Sequence, residues 1–150
     1  MLLSITNNEI LYSNYLFSFE QIKKNANKKD PNYSKILEIC TLLNESKNSL
    51  NDVNELEKIS LILVQPLIVC TSKVMDIILD VFDKIMQYNL VNDSIFEKMT
   101  SALIIYIYKY LQNAENNVKV YQTILNTMKN IINSKIDLVI YNNNIGYYLM

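Results

Sequence analysis

A chain of 150 residues and 17.5 kDa, half of them hydrophobic, is long enough for one compact domain and short for two. All 14 basic residues are lysine, the formal net charge is -1 and histidine is absent, which argues against a nucleic-acid footprint, a histidine general base and a histidine-containing zinc site. No cofactor or metal is expected, and the greasiest stretches, 59–70 and 102–111, fall short of the roughly 20 apolar residues a membrane span needs.

The first periodic segment runs from about Asn8 to Asn25, where Leu11, Tyr12, Tyr15, Leu16, Phe19 and Ile22 recur at spacings of three and four. Phe17 falls outside that strip and predicts a second contact. Residues 25–29 dilute the pattern before Asp30-Pro31, a side-chain acceptor followed by a proline suited to the first helical position. A second helix is therefore expected from Pro31, burying Ile36, Leu37, Ile39, Cys40 and Leu43.

Asn44 to Asn54 is dense in asparagine and serine and reads as a loop that can first extend the preceding helix by a turn. A third helix is expected from Val53 through Leu56, Ile59, Ile62 and Leu63 towards Cys70. Pro66 lies inside that pattern. An uninterrupted helix there would forfeit a hydrogen bond and crowd a carbonyl, at about 3 kcal/mol, so a kink or a split is predicted.

Thr71-Ser72 can cap the next helix, Lys73 to Tyr88. Its expected buried face is Val74, Ile77, Ile78, Val81, Phe82 and Ile85, opposed by Asp76, Asp80, Asp83, Lys84 and Gln87. The three aspartates read as solvated charges on that opposing face, because no second acidic cluster converges on them and no calcium-loop spacing follows. Asp80 and Lys84 are four apart and positioned to pair, with Tyr88 one further turn along.

Asn89 should stop this helix, and the Ser94-x-x-Glu97 capping box should start a fifth that reaches Leu111 or Gln112. Residues 102–111 are apolar on several sides and predict a central helix. After a junction at Glu115-Asn116-Asn117, Tyr121, Ile124, Leu125, Met128, Ile131 and Ile132 form the stripe of a sixth. Asn142-Asn143-Asn144 can cap a terminal helix carrying Ile145, Tyr147, Tyr148 and Leu149.

Cys40 and Cys70 sit among apolar residues, which favours two buried thiols over a single disulfide. Seven short-looped amphipathic segments predict an all-α, armadillo-like array, an α-solenoid of about seven helices filling residues 1–150 as one domain. Because the end at Met150 shows no polar exit, the chain is expected to be an N-terminal fragment of a much longer protein. The tyrosine clusters at Tyr106, Tyr108 and Tyr110 and at Tyr147 and Tyr148 are candidate anchors for a protein partner, with core or half-buried packing the commoner role for any single ring.

The middle of the chain resembles a known family. Gln65-Pro66-Leu67-Ile68-Val69-Cys70-Thr71-Ser72-Lys73, followed by Leu79-Asp80-Val81-Phe82-Asp83-Lys84-Ile85-Met86-Gln87-Tyr88, is similar to segments of the N-terminal dimerisation and cyclophilin-binding (DCB) domain of the large Golgi Arf guanine-nucleotide exchange factors. Mon-two-like scaffold proteins share a similar domain. The chain departs from the pattern where the family's serine-proline is missing and where Asn89 stands for its usual glycine.

The resemblance implies a noncatalytic regulatory module of a large exchange factor, with catalysis in a separate domain. Its partners would be a second copy or a helical domain of the same protein, and an Arf-family small GTPase. The implied location is cytoplasmic, peripheral to Golgi or trans-Golgi membranes in vesicle trafficking, with membrane association indirect. Asp80, Lys84 and Tyr88 would belong to the interaction surface, and Pro66 and Cys70 would shape the turn before it. The competing reading is an armadillo-like scaffold or adaptor with no exchange activity attached.

Overall fold

Thr6 opens the first helix: its hydroxyl accepts from the Glu9 backbone N–H at 3.2 Å, and α1 runs Asn7–Asn25. The computed structural model describes residues 6–65, 67, 70–113 and 118–134, and these form six α-helices and one 3₁₀ turn. Leu11, Tyr15, Phe19 and Ile22 are buried along α1 as their spacing predicts. Phe17 is 62% exposed, so its expected second contact is not made within the described chain.

The second helix, α2, spans Tyr33–Glu45 and not Pro31 onward. The Asp30 carboxylate accepts from the Asn32 N–H at 2.9 Å while the Tyr33 N–H bonds the Asp30 carbonyl at 3.0 Å, so a tight turn precedes the α-helical ladder. Ile36, Ile39, Cys40 and Leu43 fill its core side; Leu37 lies past the edge of that stripe and is exposed. The asparagine-rich connection is more ordered than a loop, with a 3₁₀ turn over Lys47–Leu50 that buries Leu50.

Asp52 starts α3 (Val53–Val64), accepting from the Asn54 and Glu55 N–H groups at 2.8 and 3.3 Å. Helix α3 thus ends at Val64, short of the expected reach towards Cys70, and α4 begins at Ser72 with Thr71 as its cap. Pro66 itself lies outside the described residues. The buried side of α4 (Ser72–Tyr88) is wider than the predicted face: Met75, Leu79 and Met86 join Val74, Ile78, Val81, Phe82 and Ile85, while Ile77 is only partly buried.

Asn89 ends α4 in the left-handed region (φ 51°, ψ 51°), and the Leu90 N–H reaches back to the Ile85 carbonyl at 3.0 Å. The turn thus has the six-to-one bond of a Schellman motif, and Leu90 after it is buried. Helix α5 (Asp93–Asn113) is capped by Asn92, not Ser94: the Asn92 Oδ1 accepts from the Ile95 N–H at 2.8 Å and its carbonyl from the Phe96 N–H at 2.9 Å. Helix α6 (Val118–Ser134) buries Val120, Ile124, Thr127 and Ile131, leaving Leu125 60% exposed instead of in the stripe. The predicted seventh helix falls outside the described residues.

Helix α1 packs on α2 and α4, α4 on α6, and α3 on α5. Cross-layer contacts tie these sets into one core: the Tyr15 hydroxyl meets Ser60 Oγ at 2.6 Å and Met99 Sδ at 3.9 Å, and the rings of Phe82 and Phe96 lie 5.3 Å apart. The result is an all-α bundle of six described helices, consistent with a solenoid-like arrangement.

Candidate interaction surface

Filling one side of α4 with aliphatic and aromatic residues turns Asp80, Lys84 and Tyr88 outward, each one turn beyond the last. Lys84 Nζ lies 3.1 Å from Asp80 Oδ2, and Tyr88 is 48% exposed. An exposed pair of this kind stabilises a helix by only about 0.3–0.5 kcal/mol. The stripe therefore offers a charged pair and an aromatic plane to a partner while contributing little to the fold. Tyr147 and Tyr148 lie outside the described residues.

Asp83 departs from the solvated-face expectation. Its Oδ2 accepts from the fully buried Thr127 hydroxyl of α6 at 3.2 Å, and its Oδ1 is buried without a hydrogen-bond partner. Burial pushes its carboxyl above the usual carboxylate range, with the Thr127 bond opposing and the Asp80 charge adding to the rise. Asp83 is half-buried and stitches two helices, with its Oδ1 out of solvent.

Cys70 is partly buried just before the α4 cap, with its Sγ 3.4 Å from the Thr71 carbonyl oxygen and turned towards Tyr106. Burial pushes its thiol up to about 11, and Tyr106 is likewise held neutral by burial. Cys40 is buried under α1, also pushed up to about 11 by burial and then by the charge of Glu20. Glu20 itself is held below its usual range by Lys23, 2.9 Å away. Both cysteines are free thiols, and both environments disfavour the thiolate that nucleophilic chemistry requires.

A concave feature elsewhere on the surface has no counterpart in the sequence motifs. Between α2 and α3 lies a groove of about 360 Å³ with Ile39 and Ile62 among its apolar lining and Lys35, Glu38, Glu55 and Lys58 as its charged members. Each helix contributes one lysine and one glutamate three residues apart, so the groove is electrically balanced. Among the described residues no group of three or more metal-ligating side chains forms, and no helix is long and apolar enough to cross a membrane.

No family model matches this chain, and neither a curated protein nor a solved structure matches it.

Proposed function

We propose that the chain is a noncatalytic regulatory and interaction module of a large Arf guanine-nucleotide exchange factor, an armadillo-like unit serving dimerisation, interdomain docking and Golgi targeting. The observation that carries this reading is α4. Its residues 79–88 hold the longer of the two resembling motifs, and that helix combines a fully packed inner side with the exposed Asp80–Lys84–Tyr88 stripe. The pairing of α3 with α5 and of α4 with α6 is the pattern stacked helix hairpins make, which supports the solenoid half of the proposal.

Full-length exchange activity tests it. Sequencing the complete reading frame and assaying its product on Arf-family GTPases should give nucleotide exchange by the full product and none by this chain alone. Absence of both an exchange domain and exchange activity would overturn the exchange-factor assignment in favour of the scaffold.

A further inference from the structure

Helix α6 is fastened to α4 through a contact whose polarity is unbalanced. Asp83 brings a carboxylate into the interface, where Thr127 satisfies one oxygen at 3.2 Å and no group among the described residues satisfies the other. Among the described residues no cation compensates: the groups acting on Asp83 are Thr127 across the interface and Asp80, a like charge three residues earlier on the same helix. Lys84 is turned to Asp80, 3.1 Å away. The lysines of α6, Lys119 and Lys129, are exposed, as are Glu9 and Lys24 of α1, while Glu20 and Lys23 of α1 pair with each other.

We propose that the Asp83–Thr127 contact is a proton-sensitive latch that holds α6 on α4 more tightly as the medium acidifies. As a carboxylate, Asp83 loses water at Oδ1 and gains no donor there, which weakens docking. Protonation removes the charge and with it that penalty. Burial lifts the carboxyl in the docked state above its value in a detached, hydrated state, so the docked form binds the proton more strongly. Docking therefore tightens as pH falls through the docked-state value and levels off below the ordinary aspartate value of about 4.

Hydrogen exchange read by mass spectrometry on the full chain tests the latch, with rates at pH 7 and about pH 4, the lower end of the titration window, corrected for the intrinsic pH dependence of exchange. Protection of α6 amides should rise at the lower pH, with no comparable rise in α2, and Asp83→Asn should abolish the difference. Asp80→Asn is the second variant. Removing the like charge should move the response to lower pH, and it keeps the test decisive if Asp83→Asn does not fold. Equal α6 protection at both values in the wild type, an equal rise in α2, an undiminished response in Asp83→Asn, or a response unmoved by Asp80→Asn would overturn the latch.

Discussion

The Tyr15 hydroxyl and Ser60 Oγ lie 2.6 Å apart in the core, the first on α1 and the second on α3, and both residues are fully buried. Burial raises the phenol far above its ordinary range, so it stays a neutral donor and acceptor at any physiological pH. Tyr15→Phe and Ser60→Ala should each lower unfolding free energy by about 1–3 kcal/mol, because each leaves a buried hydroxyl short of a partner. Urea titrations of both single variants and the double variant should show the double costing less than the sum; strict additivity would mean the bond contributes nothing.

The left-handed turn at Asn89 gives a second test. Asparagine tolerates φ 51°, whereas alanine there should cost about 1 kcal/mol and valine more, with Asn89→Gly close to neutral. Thermal melts ordered valine, alanine, then glycine and wild type are expected. Alanine equal to wild type would count against the turn.

Asp52 accepts two of the first free N–H groups of α3, so Asp52→Ala should destabilise by about 1 kcal/mol and Asp52→Ser or Asp52→Asn by less. Denaturant midpoints for the three variants would check the ranking.

Both thiols are pushed up to about 11 by burial from an ordinary value near 9, which cuts the thiolate fraction at pH 8 about a hundredfold. Because a high-pKa thiolate is the stronger nucleophile, part of that loss is offset, and alkylation of Cys40 and Cys70 in the native chain should be at least about tenfold slower than in urea. Peptide mapping of the labelled sites would reveal an exception. Rapid native labelling of either cysteine would contradict its packed position.

What could be read from the amino acids alone depended on how one-sided each helix is. The α4 pattern identifies most of its inner face and its cap, and Asp80 and Lys84 pair as their spacing requires. Leu37 and Leu125 were misplaced because apolar stripes of five or six residues are broader than the contact a single neighbour makes, and the edges fall into solvent. Asp83 departs from its pattern for the converse reason: a polar residue on the outer half of α4 still meets α6, and one-helix periodicity contains no information about that neighbour. The α2–α3 groove, likewise, exists only once two helices from separate segments are brought together.

Self-association bears most directly on the proposed interaction role. Sedimentation equilibrium of the chain at micromolar concentration, beside a Lys84→Glu, Tyr88→Ala double variant whose helix content is verified by circular dichroism, compares the exposed stripe with the rest of the surface. A reversible dimer in the wild type and at least a roughly tenfold weaker dimer in the variant are expected, since an aromatic and a charge at the centre of an interface together carry more than about 1.4 kcal/mol. A monomer at all concentrations, or a dimer that the double variant leaves unchanged, would contradict dimerisation through this face of α4.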